Sequence, residues 1–472
     1  MSSAVEIVFV ALLGYFLTLN CLYLAITGAA LNDLRRHRSR RQYVDLDVLS
    51  SSPTILPVSI VIPAYNEEVV LRETVTTILA SAYPEFEVIV VNDGSTDSTL
   101  EMAIREFALE PRDVFHPSPL GSAPVRGTYR SRRYPNLWLV DKQNGGGADA
   151  LNAGLNLARY PFVAHLDADC VVEPDALMLS MQPINFDPDE VVIVGAHLRV
   201  ANGLEIDDGR ITASALPRRL VERFQLLEYL SAYVLNRLGW GRLNAIPVIS
   251  GGFGIWPKRV VLDLGGFSTT ETHFDIEATI HAHAWLRSTG ARYRMLNVPD
   301  AVVWTQAPTT WRDLFVQRKR WQRVVFEVLW KYRRLILNPR YGYVGMVSMP
   351  YLLVYEGLGP FVETFSYVAV AVLAVLGLLS VQALVLFLCF AFGLTALIRI
   401  LSLLADVLYF KVYSRRSLAT LAALAFFEPL VFHLAQLPYR MAAFYEFLRG
   451  EHTHETMTRE TIGTSPIAES QP

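Results

Sequence analysis

Two long stretches without charge constrain this chain before anything else does. Ile7 to Leu31 is uncharged over about 25 residues, and Thr364 to Ile398 over about 35. An apolar helix of about 20 residues matches the hydrocarbon core of a bilayer, so both runs read as membrane-spanning. The first is long enough to cross with some tilt. A cleaved signal peptide is the competing assignment. It is disfavoured because no basic region precedes the run and Arg35, Arg36, Arg38, Arg40 and Arg41 follow it. That cluster puts the end of the helix in the cytosol and the N-terminus outside.

The second run is too long for one helix. It predicts two, meeting at a tight turn near Ser380 to Gln382, the second continuing past Arg399 to Tyr409. Lys411, Arg415 and Arg416 mark a cytosolic loop. A last apolar segment, Leu418 to about Leu437, is interrupted by Glu428-Pro429. Tyr343 to Gly359, with Pro350 and Glu356 inside it, reads as an interfacial helix. Arg399 and Asp406 share one helix face. They either line a polar path for the sugar chain through the helices, with Arg399 donating to sugar hydroxyls or pairing to Glu356 or Glu363, or snorkel to headgroups. Composition agrees with a membrane protein: 52% of residues are hydrophobic and 18% charged. The net charge of -3 gives no sign of a nucleic-acid partner. Cys21, Cys170 and Cys389 have neither disulfide nor zinc spacing and read as packing residues.

Between the apolar runs lies a different pattern. Val58 to Ile62, Phe86 to Val91, Leu137 to Val140 and Phe162 to Leu166 read as strands. Helical patterns separate them: one capped by Asn66 with Leu71, Val75, Ile78 and Leu79 on one face, and another over Ala148 to Ala158. This alternation predicts an α/β fold with a mostly parallel sheet and helices on both faces. Ligands of such sheets bind at the carboxyl ends of the strands. Asp93, Asp167 and Asp169 fall at those ends. The domain reading is an N-terminal membrane helix to residue 33, a basic linker over 34–56, a catalytic domain over 57–340, an interfacial helix with about three crossings over 341–449, and a polar tail over 450–472.

The acidic pair Asp167-Ala168-Asp169 suits a hard divalent cation and a sugar diphosphate, because two carboxylates two residues apart at a strand end can hold both. In isolation the same triplet is a solvated turn, and its place after a strand favours the metal reading. Asn144-Gly145-Gly146-Gly147 offers a loop whose backbone can approach a phosphate, or is a flexible turn. Asp93 is a turn residue or an acceptor for a base or ribose. Asp275 opens a helical pattern with Ile276, Ile280 and Ala284 on one face, where the helix dipole favours a carboxylate, or it is a simple cap. His281 and His283 further along carry no assigned role. Gln317-Arg318-Lys319-Arg320-Trp321 joins an arginine fit for phosphate oxygens to a flat aromatic face for a sugar ring. Its basic neighbours Arg323, Lys331, Arg333 and Arg334 also suit a helix lying on a membrane surface.

Taken together and in this order, these motifs resemble the family 2 inverting glycosyltransferases of the GT-A (Rossmann-like) fold, especially membrane cellulose, hyaluronan and poly-N-acetylglucosamine synthases. The resemblance runs from Pro57 to Trp321. It implies nucleotide-sugar contacts from Ala64, Tyr65, Glu67, Asp93, Asn144, Asp167 and Arg320. It implies Mg2+ or Mn2+ on Asp167 and Asp169, and Asp275 as general base. It implies acceptor contacts from Gly251, Gly252, Phe253, Gln317 and Trp321. The implied reaction transfers a hexose from UDP-glucose or UDP-N-acetylglucosamine to a growing β-linked glycan, with single addition to a membrane lipid as the alternative. A transporter with an inactive nucleotide-binding domain is a third reading, opposed by the complete set of acidic positions. The implied location is the plasma membrane, multi-pass, with the catalytic domain cytosolic. Two positions depart from the family pattern: Gly147 stands where lysine is usual, and Phe274 where glutamate is usual.

Overall fold

The computed structural model describes residues 3–41, 46–50, 54–114, 118–207, 210–271, 273–410 and 412–450. The expectations placed on Lys411, on the tail beyond Gly450 and on the side chains of Arg38, Arg40 and Arg41 lie outside these. The chain divides into two units. One, a helical unit, joins the N-terminal helix to residues Arg218–Ala245 and Pro308 onward. The other, a sheet unit, spans Arg40–Pro217 together with Ile246–Ala307.

Among the described residues, twelve strands belong to the sheet unit: β1 (Val58–Ala64), β2 (Phe86–Asn92), β3 (Leu109–Pro111), β4 (Val125–Ser131), β5 (Leu137–Lys142), β6 (Phe162–Leu166), β7 (Cys170–Val172), β8 (Val191–Val200), β9 (Leu204–Asp207), β10 (Arg210–Ser214), β11 (Phe253–Pro257) and β12 (Arg294–Thr305). Ten of them form one sheet in the order β3-β4-β5-β2-β1-β6-β11-β8-β12-β7, and β9 and β10 make a separate hairpin. The four strands β5, β2, β1 and β6 run parallel, β11 is antiparallel to both its neighbours, and β8 and β12 are parallel again. The continuous apolar run of β1 follows from its central place. Val58, Ile60 and Ile62 on one face and Val61 on the other are buried, as expected for a strand covered on both faces. Each such side chain contributes about 1.5–3 kcal/mol of burial. Helix Gly147–Leu157 packs so closely on β1 that a Cβ at Gly154 would come within 2.3 Å of Val61. Only glycine fits that contact.

The strands read from sequence are present, β1, β2 and β5 each running slightly further than the apolar pattern. The first helix differs. Asn66 is not its cap: it has a positive φ of 58°, and the helix starts later, at Leu71. The reason is the Asn66 side chain, which accepts hydrogen bonds from the backbone N–H groups of Thr96 and Asp97 in the neighbouring loop rather than from its own helix. Strands β4, β8, β11 and β12 have no counterpart in the sequence reading.

In the helical unit, helices over residues 6–37, 381–409 and 415–449 are long and apolar enough to cross a membrane, and a fourth crossing is made if Val344–Gly357 and Gly359–Val375, bent by 48°, count as one span. The turn expected near Ser380 is there, with Ser380 capping the second helix. The last helix runs unbroken from Arg415 to Arg449. Pro429 is absorbed by a wide π-type turn over Pro429–His433 instead of ending it. Apolar packing ties the helices together: Phe9 and Phe16 of the first helix bury against Val370, Phe387 and Ala391.

Several charged groups inside this unit are paired. Arg399 holds Glu428 with two bonds of 3.1 Å. That corrects the expectation of Glu356 or Glu363. Glu356 is taken by Arg440 at 2.9 Å and Tyr351 at 2.6 Å, and Glu363 by His433 at 2.6 Å. Helices 381–409 and 415–449 follow one another across a short connection, so Glu428 is the acid the chain brings to Arg399. Asp406 is fully buried, which opposes the snorkelling reading. Glu428 is 2% exposed, so removing one partner strands a charge in an apolar setting. Glu428→Ala is expected to destabilise the protein by about 3–5 kcal/mol. The double variant Arg399→Leu/Glu428→Leu should recover most of that loss. Apparent melting temperatures of the detergent-solubilised proteins check this, and equal losses in the single and double variants would contradict it.

Candidate active site

The register of the parallel strands brings the acidic turns to one edge. Ala64 pairs with Asn92, Asn92 with Asp141, and Val61 with His165. The residues that follow β1, β2, β5 and β6 therefore emerge side by side. Sequence spacing alone could not show that these loops, far apart in the chain, are stapled to each other. Asn66 N–H donates to Ser95 Oγ at 3.1 Å, Glu67 N–H to Thr99 Oγ1 at 2.9 Å, and Ser98 N–H to Glu68 Oε2 at 2.9 Å. Tyr65 is left 42% exposed at this edge, with Ala64 buried beneath it.

Asp93 occupies the next strand end, and its carboxylate is already committed. Oδ2 accepts from Gly146 N–H at 2.8 Å, and Oδ1 from Gly145 N–H at 3.0 Å and from Lys142 Nζ. Asn144 Nδ2 donates to the Asp93 carbonyl at 2.9 Å. The amides of Gly145 and Gly146 thus point inward to Asp93 rather than outward to a ligand. Burial raises the Asp93 carboxyl above its ordinary value, against the opposing pull of Lys142 and the two amides. Lys142 itself is fully buried and also reaches Asp149 Oδ1 at 2.6 Å. The sequence reading missed Lys142 and Asp149. A lysine at the buried end of an apolar strand, seven residues before an aspartate, was the available signal.

Asp167 and Asp169 sit in the turn between β6 and β7. Asp169 is buried and Asp167 half-buried. Burial and these two carboxylates together push the thiol of Cys170 well above its ordinary range. Facing them is the loop Ser250–Phe253. A Cβ placed on Gly251 would lie 3.7 Å from Asp167 Oδ2 and 3.9 Å from Asp275 Oδ2, so one small loop residue separates the two carboxylates. Gly252 is enforced by a different contact, since its Cβ would meet Leu198 Cδ2 at 2.5 Å. Phe253 begins β11 and is buried.

Asp275 lies in the first turn of helix Phe274–Ser288. Its Oδ1 accepts from Ile276 N–H at 2.9 Å and its Oδ2 from Gly251 N–H at 3.4 Å. Thr279 ties the same helix to the loop, receiving Ile249 N–H at 2.9 Å and donating to the Asp275 carbonyl at 2.7 Å. Phe274 explains one departure from the family pattern: its ring packs edge-on against His165, centroids 5.2 Å apart, and against Phe267 at 5.0 Å. A glutamate there would face an aromatic cluster. His165 is buried, and burial lowers its pKa to about 4, so the ring is neutral. His283, unassigned from sequence, is a packing residue between Tyr293 and the Ile246 carbonyl.

The metal expectation meets a donor set of two carboxylates. Among the described residues no group of three His, Cys, Asp or Glu side chains comes together to hold an ion. Two hard oxygen donors beside an open loop suit Mg2+ or Mn2+, which keep positions for diphosphate oxygens and water. Gln317, Arg320 and Trp321 lie on helix Trp311–Lys331 of the helical unit. There Trp321 is 37% exposed with the Arg318 guanidinium stacked 4.2 Å from its ring centre, and Arg318 pairs with Glu228 at 2.5 Å. Gln317 is buried on the same helix.

Parallel strands ending in a shared acidic edge, with a carboxylate on a helix start opposite, make this the GT-A glycosyltransferase fold. The family model of glycosyl transferase family 2 matches residues 59–230. The poly-beta-1,6-N-acetyl-D-glucosamine synthase of Staphylococcus aureus (strain COL) is 27% identical over 298 residues, 63% of this chain and 60% of that protein. The enzyme of the same name from Staphylococcus epidermidis is 27% identical over 283 residues, 60% of this chain and 58% of that protein. The match therefore spans about three fifths of these relatives. Among solved structures, a mannosyltransferase from Pyrobaculum calidifontis, in complex with GDP-Man and Mn2+, covers 93% of this chain and 100% of its own, with a TM-score of 0.55 and 20% identity. That likeness is one of fold.

Among the described residues Lys142 is the cation paired with both Asp93 and Asp149. Lys142→Met is expected to destabilise the sheet unit by about 3 kcal/mol, because it leaves the buried Asp93 and half-buried Asp149 carboxylates without their shared partner. Thermal unfolding checks this. An unchanged melting temperature would mean that the glycine loop does not depend on the cation.

Proposed function

We propose that this chain is a membrane-embedded inverting glycosyltransferase that moves a hexose from a UDP-sugar onto a growing β-linked glycan. The observation that carries the reading is the convergence of Asp167, Gly251 and Asp275 within a few ångströms. A leaving-group site and a base separated by one glycine are what direct displacement at an anomeric carbon needs. UDP-N-acetylglucosamine is the favoured donor over UDP-glucose, supported by the name of the staphylococcal relatives.

In this reading Tyr65, exposed at the strand edge, covers the uracil. The loop held by Asp93 and Asn144 shapes the nucleotide pocket, with Ala64 and Glu67 at its floor. Asp167 and Asp169 would hold Mg2+ or Mn2+, which offsets the charge building on the diphosphate. Asp275 accepts the proton of the acceptor hydroxyl as that oxygen attacks. Its second oxygen is fixed by Gly251 N–H, so the proton-accepting lone pair is aimed across the loop. Gly251, Gly252 and Phe253 line the acceptor side. Arg320 and Trp321, for which the family resemblance implies diphosphate and acceptor contacts, lie on helix Trp311–Lys331 of the helical unit. Polymer extension fits a catalytic unit joined in one chain to several membrane helices. With Arg35 and Arg36 in the last turns of the first helix, Ser3–Arg41, the catalytic unit lies in the cytosol of a multi-pass plasma-membrane protein.

Asp275→Asn is expected to cut transfer by at least about a thousandfold while UDP-sugar binding persists, since only the proton acceptor is lost. Turnover and donor binding on the purified variant check this, and near-normal turnover would exclude Asp275 as base. Excess EDTA is expected to abolish transfer, with Mg2+ or Mn2+ restoring it. Full activity in the chelator would remove Asp167 and Asp169 as metal ligands.

A further inference from the structure

The nitrogen-bearing ring in β6 has no place in the chemistry above, yet it is built into the site with care. His165 is 3% exposed in an interior strand where its strand neighbours are aliphatic. Burying an imidazole there costs free energy, and its Nδ1 has no partner among the described residues. Space is reserved for it: a Cβ on Gly254 would come within 2.7 Å of His165 Cε1. Three aromatic rings close around it, those of Phe274, Phe267 and Trp256.

What the ring does is donate one hydrogen bond. Nε2 stands 2.9 Å from the carbonyl oxygen of Ser250. A carbonyl only accepts, so the proton is on Nε2. That carbonyl belongs to the same peptide plane as the N–H of Gly251, and Gly251 N–H donates to Asp275 Oδ2 at 3.4 Å. The two groups of a planar trans peptide point in opposite directions. Holding the carbonyl from one side therefore fixes where the N–H points on the other.

We propose that His165 is a positioning residue for Asp275, acting through the Ser250–Gly251 peptide to hold the base carboxylate in its attacking orientation. This rests on the reading of Asp275 as the base. Without the donor, the Ser250 carbonyl is left to the Phe253 N–H of its own turn at 3.2 Å, the peptide tilts, Gly251 N–H loses its aim, and the Asp275 carboxylate turns about its side-chain bonds. The donor-binding residues at the ends of β1 and β2 are untouched by this rotation. The loss falls on the chemical step and spares nucleotide-sugar binding.

The test compares His165→Met, His165→Phe and His165→Gln in the full-length enzyme, assayed with UDP-N-acetylglucosamine and, in parallel, UDP-glucose. Methionine and glutamine have the same length, but only glutamine can donate to Ser250. Phenylalanine keeps a ring in the space if methionine loosens the core. Expected for methionine and phenylalanine is a fall in kcat of about tenfold or more, with the donor KM within about twofold of the parent. Glutamine should recover kcat to within a few fold while melting no higher than the other two. If the three variants lose activity equally, or the loss is in donor KM, His165 is a packing residue and the inference is overturned. Asp275→Asn run alongside separates the two levels. A dead Asp275→Asn with three equal His165 variants sinks only the His165 role, whereas an active Asp275→Asn sinks the base assignment beneath it.

Discussion

Everything in the site depends on the in-register parallel pairing of β5, β2, β1 and β6. Because Ala64, Asn92 and Asp141 pair across the sheet, the loops after each strand leave it at one level. A slip of one residue would exchange the two buried faces of β1, setting Val58, Ile60 and Ile62 against neighbours packed for Ser59 and Val61, and take Asp93 and Asp167 from the edge they share. The close packing of Gly154 on Val61 makes such a slip costly. The chemistry is thus positioned by hydrophobic register, and the hydrogen bonds among the loops refine what that register has brought together.

The refinement is done largely by backbone groups. Gly145 and Gly146 amides hold Asp93, the Thr96 and Asp97 amides hold Asn66, and the Gly251 amide holds Asp275. Backbone donors do not rearrange as side chains do, so a site built on them is organised before its ligand arrives. One consequence concerns Gly147. The usual lysine is missing at that position, and a buried lysine sits five residues earlier, at Lys142, with its charge spent on Asp93 and Asp149. The cation stabilises the loop from behind. It does not face outward, so the charge facing the diphosphate has to come from elsewhere.

Much of this was legible in the sequence, and the gaps have physical causes. The strands β1, β2, β5 and β6 showed as apolar runs because central parallel strands are buried on both faces. The spans showed because no soluble fold needs about 35 uncharged residues in a row. Strands β8 and β12 did not show: their polar members, such as His197, Arg199 and Asn297, break the apolar pattern although all three are buried. Asn66 was misread as a helix cap because a side chain that bonds a neighbouring loop looks, locally, like one that bonds its own helix. Arg399 was assigned the wrong acid because pairing between helices depends on which helix faces lie together, and spacing along one helix does not tell. The role given to His165 depends on a peptide plane 85 residues away in the chain, which no local pattern reveals.

The central claim is that one edge of the sheet binds a nucleotide sugar between a carboxylate pair and a helix-start base. Its most direct measurement is a cryo-EM structure of the full-length protein with UDP-N-acetylglucosamine and Mn2+. The account requires the ion to lie against Asp167 and Asp169, the uracil beside Tyr65, and the sugar directed to the Gly251 loop within reach of Asp275. A nucleotide bound away from the ends of β1, β2 and β6, or an ion touching neither aspartate, would contradict it.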